Sequence, residues 1–216
     1  ACKVLVVCGS PLVASADLLR RLVGECDHVV AVDRGLDALL GARLSCDVYV
    51  GDADTVSEAG RALVDAAEDF EVERHDPYKD YTDLTLALDS VRRRWPGAKW
   101  FDLRYGRPPG YGPKRPSLLA NYKDAPVWIA EDATTARILH EGESWTIEGA
   151  ESKTFSIIGI APNTEVSEHG LEWELDHSPL DLLADTGISN VVRSTATIQV
   201  HTGTAIAYLY QETFRV

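Results

Sequence analysis

Residues 28–54, HVVAVDRGLDALLGARLSCDVYVGDAD, decide how the N-terminal half is read. The run from His28 to Val32 is short, apolar and β-branched, which predicts a strand. Gly35 to Leu40 predicts a short helix, and Asp47 to Val50 predicts another strand that stops at Gly51. Each strand ends in acid: Asp33 follows the first, and Asp52 and Asp54 follow the second. Working outward, Val4 to Cys8 predicts a strand, Asp17 to Val23 and Ala59 to Ala67 predict helices, and Phe70 to Glu73 predicts a short strand. Between Asp80 and Trp95, residues Leu84, Leu88, Val91 and Trp95 recur at the spacing of an amphipathic helix. Lys99 to Leu103 closes the series as a strand. Alternation of this kind predicts a Rossmann-like α/β domain over residues 1–124, a mostly parallel sheet with helices on both faces.

After about Asp124 the long helical stripes stop. Short alternating runs separated by turn residues predict strands at Ser144 to Ile147, Thr154 to Ile160, Leu171 to Leu175 and Ala196 to Val200. Thr204 to Tyr210, after Gly203, predicts the second arm of a hairpin. Residues 125–216 therefore predict an all-β sandwich or barrel domain. Arg104 to Arg115 is rich in Gly, Pro and Arg and predicts a long loop between the two.

The composition narrows the function classes. A net charge of −13 lacks the basic face that nucleic-acid binding needs, although a cation can still bring a nucleotide to an acidic surface. No apolar run reaches the ~18 residues of a membrane span. Val4 to Cys8 runs straight into Gly9-Ser10-Pro11 and so reads as a first strand, not a signal sequence. Cys2, Cys8, Cys26 and Cys46 crowd the first quarter of the chain with no Cys-x-x-Cys pair, so reduced structural thiols in a cytoplasmic protein are expected.

Ligands of a parallel α/β sheet bind beyond the carboxyl ends of its strands. Asp33, Asp52 and Asp54 fall at such ends, and Asp80 and Asp83 open the long helix after Phe70 to Glu73. Taken singly, Asp80 and Asp83 fit a helix cap, and Asp33, Asp52 and Asp54 fit ordinary turns. Trp173, taken singly, fits core packing. Together, converging carboxylates are costly unless a cation compensates them, and oxygen donors without His or Cys suit Mg2+ and the phosphates it carries.

Three stretches then combine. Asp33-Arg34-Gly35, Val50-Gly51-Asp52-Ala53-Asp54-Thr55 and His75-Asp76-Pro77-Tyr78-Lys79-Asp80-Tyr81-Thr82-Asp83-Leu84 resemble, in order and separation, motifs of the thiamine pyrophosphokinase family. Gly170-Leu171-Glu172-Trp173-Glu174-Leu175 resembles that family's Gly-Leu-x-Trp segment, and Gly187-Ile188-Ser189-Asn190 its late Ser-Asn motif. The resemblance implies transfer of pyrophosphate from ATP to the hydroxyl of thiamine, with release of AMP. It implies Mg2+ on Asp52, Asp54 and Asp80 with Asp83 beside them, and one of these carboxylates taking the hydroxyl proton. It further implies nucleotide contacts from Asp33, Lys79, Thr82, Arg107 and Asn121, and thiamine contacts from Trp173, Ser189 and Asn190. A homodimer, with the β domain of one subunit facing the α/β domain of the other, is also implied.

One departure stands out. Where the family carries an Asp-His pair after Gly-Gly-Arg, residues 105–121 read YGRPPGYGPKRPSLLAN, and Arg34 replaces a glycine. That leaves open a non-catalytic relative that binds thiamine or a nucleotide. Asp52-Ala53-Asp54-Thr55-Val56 also fits the nucleophile motif of haloacid-dehalogenase-like phosphatases, with Asp52 forming the aspartyl-phosphate. That motif normally follows the first strand.

Overall fold

The computed structural model describes residues 2–9, 15–75, 83–103, 122–123, 127–182 and 185–210. The chain divides into two compact units, Ala1–Gly112 with Ile129–Asp132, and Pro113–Trp128 with Ala133–Val216. Among the described residues no helix is long and apolar enough to cross a membrane. All four cysteines are free thiols.

In the first unit β1 (Lys3–Cys8), α1 (Ala16–Glu25), β2 (His28–Val32), α2 (Gly35–Gly41), β3 (Val48–Gly51), α3 (Glu58–Ala66), β4 (Glu71–Arg74), α4 (Asp83–Arg94) and β5 (Lys99–Leu103) follow one another. The strands pair in parallel in the order β5-β1-β2-β3-β4. Val4, Leu5, Val6 and Val7 are all fully buried, because β1 is covered on both faces and has no polar side to show. Leu5 and Val7 join one core with residues of α1, α2 and α3, while α4 lies against β1, β2 and β3. Ser15 caps α1 by accepting from the Leu18 amide at 3.2 Å, and Ser57 caps α3 by accepting from Gly60 at 3.1 Å. α4 buries Ala87, Leu88 and Val91 completely and ends in Arg92, Arg93 and Arg94, where the helix dipole favours cations. Arg94 donates to both carboxylate oxygens of Glu71, at 2.6 and 2.7 Å, and charges the exposed edge strand β4 against further pairing.

β6 (Val127–Ala130) carries the chain across the boundary between the units. β7 (Thr134–His140), β8 (Ser144–Ile147), β9 (Thr154–Gly159), β10 (Glu165–Leu171), β11 (Leu175–Pro179), β12 (Asn190–Thr202) and β13 (Thr204–Tyr210) complete the second. All the pairings from β7 to β13 are antiparallel. Phe155, Ile157, Val166, Val192, Ile198 and Val200 centre its core.

The predicted fold class needs correcting. The first unit is not a Rossmann-like domain. Its sheet is small, and the chain steps in one direction from β1 to β4 before reversing once to β5, whereas the Rossmann order turns back after its third strand. The second unit is not a separate sandwich or barrel. β12 is thirteen residues long and changes partners along its length, meeting β9 at Asn190 and Val191 and then β8 and β10. The pairings therefore run as an open path with β11 at its edge, and β8 branches from it at β12. The strand predicted at Leu171 to Leu175 is interrupted: Leu171 ends β10, Leu175 starts β11, and residues 172–174 form the turn between them. Left-handed Gly170, φ 79°, bends the chain there.

Candidate functional site

Two sets of predicted residues fall in the described parts of the chain, one in each unit. In the first, Val32 of β2 pairs with Val50 of β3, so the residues that follow leave the sheet side by side. Asp33 sits at φ 46°, a left-handed conformation uncommon outside glycine, and its amide donates to the Val50 carbonyl at 3.2 Å. Its carboxylate lies over Gly51: a Cβ on Gly51 would come 2.0 Å from Asp33 Oδ1 and 3.1 Å from the Tyr49 hydroxyl. Only glycine fits, for reasons of space and of its φ of 149°.

The next turn is fixed from two directions. Asp52 Oδ1 accepts from the Asp54 amide at 3.0 Å. The Ala53 carbonyl accepts from Arg61 Nε and Nη2 of α3 at 3.1 and 2.6 Å. Ala53 is buried at φ 63°, which leaves Asp52 half-buried and Asp54 exposed on either side of it. The structure thus brings Asp33, Asp52 and Asp54 to neighbouring strand ends, as the sequence predicts. Strained residues gathered at one place are a common mark of a functional site. Asp52 follows β3, not the first strand that the phosphatase motif requires.

Lys79, Asp80, Thr82, Arg107 and Asn121 lie outside the described residues. Asp83 opens α4, and its side chain is likewise outside them. Among the described residues no three His, Cys, Asp or Glu side chains gather as a metal site.

The second unit holds a cavity of about 240 Å³ lined by Glu168, Trp173, Leu175, Thr186, Gly187, Ile188 and Asn190. Trp173 is 59% exposed and is not a core residue. Its backbone is held instead: its amide donates to Asn190 Oδ1 at 3.1 Å and its carbonyl accepts from Asn190 Nδ2 at 2.7 Å. Asn190 Oδ1 also accepts from the Val191 amide at 2.9 Å, and Nδ2 also donates to Glu168 Oε2 at 3.3 Å. The Asn190 amide therefore makes four bonds within the protein. Ser189, at φ 57°, donates its amide to the Ser156 hydroxyl at 3.0 Å and is exposed beside the cavity wall.

Sequence reasoning missed Glu168, which is fully buried on β10. The signal was available. In EVSEHGL it shares strand parity with buried Val166, so it points inward, where a carboxylate is rare. Burial pushes its carboxyl up to about 7, opposed by the bond from Asn190.

Residues 143–206 match the model of the thiamin pyrophosphokinase vitamin B1 binding domain. No curated protein sequence matches the chain significantly. Among solved structures, the thiamine pyrophosphokinase from Bacillus subtilis is 21% identical with a TM-score of 0.73, over 97% of this chain and 99% of its own. The enzyme of the same name from Geobacillus thermodenitrificans is 23% identical at TM-score 0.74, covering 99% of this chain and 100% of that one. The one from Candida albicans is 12% identical at TM-score 0.78, over 97% and 90% respectively. At these identities the structural likeness establishes the shared fold, end to end.

Proposed function

We propose that this chain, whose residues 143–206 match the thiamin pyrophosphokinase vitamin B1 binding domain and which shares its fold with thiamine pyrophosphokinases over nearly its whole length, is a thiamine diphosphokinase. The family resemblance read from the sequence is borne out by those two findings. The reaction in this reading moves pyrophosphate from ATP to the hydroxyl of thiamine and releases AMP. The observation that carries it is the cavity of Glu168, Trp173 and Asn190, which falls inside the matched residues and offers an aromatic face and a carboxylate to a cationic ring.

Transfer of a phosphoryl-type group asks a protein mainly for positioning and charge neutralisation. Asp52, Asp54 and Asp80 would hold Mg2+, with Asp83 beside them, and the metal when bound would neutralise the phosphate oxygens. What supports this is the donor chemistry and the backbone: Val32 and Val50 are paired, so Asp33 and Asp52 follow neighbouring strand ends, and Gly51 lets Asp33 close over the turn. Asp33 steadies that turn, and a carboxylate of the cluster receives the hydroxyl proton. Asp33, Lys79, Thr82, Arg107 and Asn121 are assigned to the nucleotide on the family resemblance. A cytoplasmic homodimer belongs to the same reading.

Incubation with ATP, Mg2+ and thiamine should yield AMP and thiamine diphosphate in equal amounts. Saturable thiamine binding without either product would replace this reading with that of a non-catalytic thiamine-binding relative.

A further inference from the structure

Glu168 breaks the rules of its position. A carboxylate on the inward face of a strand loses its water and is tolerated when its oxygens are hydrogen-bonded. Here Oε2 receives only the long bond from Asn190, and Oε1 has no hydrogen-bond partner among the described residues. The side chain lines a cavity whose other walls include apolar Leu175 and Ile188, beside the exposed ring of Trp173. An aromatic face attracts a cation, and a dry unpaired carboxylate attracts one more strongly.

We propose that Glu168 is a specificity-determining residue, the counter-charge that holds the cationic ring of the substrate in the Trp173 cavity. The inference rests on the thiamine reading above, since the thiazolium ring of thiamine is a permanent cation. Asn190 is the positioning residue, because its amide is spent on Glu168, Val191 and the Trp173 backbone. At about 240 Å³ the cavity is smaller than the ~300 Å³ at which pockets for whole drug-sized ligands begin, so it takes one ring and leaves the rest outside.

Among the described residues, the Arg and His side chains of β10, β11 and β12 are engaged elsewhere. Arg193 of β12 pairs with Glu172, and His177 of β11 pairs with Glu165 at 2.7 Å. His201 of β12 bonds Ser167 at 2.7 Å and stacks on His177, and His169 of β10 faces Glu174 at 3.7 Å. Asp176 of β11 and Asp185, just before the cavity wall, are acids and cannot neutralise it. With the free carboxyl near 7, a proton and the cationic ring compete for the same oxygen.

The test measures affinity by titration calorimetry from pH 6 to 8 on the full chain and on Glu168→Gln. The probes are thiamine and its neutral isostere with thiophene in place of thiazolium. Wild-type affinity for thiamine should fall by about tenfold per pH unit below 7, while the isostere shows no such slope. Glu168→Gln should bind thiamine roughly thirtyfold or more weakly at pH 8 with a flat profile, and should bind the isostere as wild type does. Isostere binding reports that the variant's cavity is intact, and the wild-type profile needs no variant. Tight thiamine binding with a flat wild-type profile would overturn the inference and leave the proposed function standing. Wild-type protein that neither binds nor converts thiamine would overturn the proposed function, and the inference with it.

Discussion

Replacing Glu168 with Gln should stabilise the folded protein while weakening its ligand, and the size of the gain follows from burial. In the unfolded chain the carboxyl titrates near 4.5, and in the fold burial pushes it up to about 7. The fold therefore holds the proton more tightly than the unfolded chain does. Stability must fall as pH rises from 4.5 to 7 and level off above, because over that window the folded state binds more protons. At ~1.36 kcal/mol per pH unit the ionised carboxylate costs on the order of 3 kcal/mol at pH 8. Gln cannot ionise, so the variant should match wild type near pH 4.5 and exceed it by about that amount at pH 8. Urea unfolding followed by tryptophan fluorescence reads this directly, since Trp128 and Trp145 pack edge to face in the same unit, 5.3 Å between ring centroids. Parallel pH profiles for the two proteins would refute the argument, because they would mean that Glu168 is not buried in its charged form.

Three further outcomes follow from the geometry. Asp52→Asn should abolish turnover and keep the fold, since an Asn Oδ1 can still accept from the Asp54 amide; full activity in that variant would refute the metal assignment. Trp173→Ala should change stability by less than ~0.5 kcal/mol, because the ring is largely exposed, yet cost ~0.5–2 kcal/mol in thiamine affinity by calorimetry. Gly51→Ala should cost ~1–3 kcal/mol in urea unfolding and reduce turnover, because the added methyl meets Asp33 Oδ1 at 2.0 Å; wild-type values on both counts would show that Asp33 need not sit over the turn.

The legible parts of this molecule were those where one physical constraint acts alone. Val4 to Val7 and Val29 to Val32 are buried on both faces and so spell themselves as unbroken apolar runs. α4 declares its buried side through Leu88 and Val91. The acids after β2 and β3 were legible because a strand end is a place in the chain as well as in space. Strand order was not, since periodicity says which residues are buried and nothing about which strand lies beside which. That is how a Rossmann-like reading arose from a sheet that reverses only at β5. Glu172-Trp173-Glu174 alternates like a strand, but its conformation is dictated by Gly170 and by the distant Asn190 amide. The first half of β12 was overlooked because Arg193, Ser194 and Thr195 are exposed there and carry no inward apolar signal. Glu168 escaped because a buried acid has no propensity to betray it, only parity in a strand that had not been recognised.

The Asn190 side chain has one more consequence. Its single amide ties the β10–β11 turn at Trp173, the start of β12 at Val191 and the carboxylate of Glu168 into one knot. Pieces joined in this way open together, so local breathing of the turn also releases the floor of the cavity. A ring seated against Glu168 then holds the knot shut, and the exchange of the Trp173 and Val191 amide protons with deuterium slows in proportion to ligand occupancy. Selectivity redesigned at Asn190 would loosen the turn along with the pocket; Ile188, an exposed residue of the same lining with no part in these bonds, can be varied without untying it.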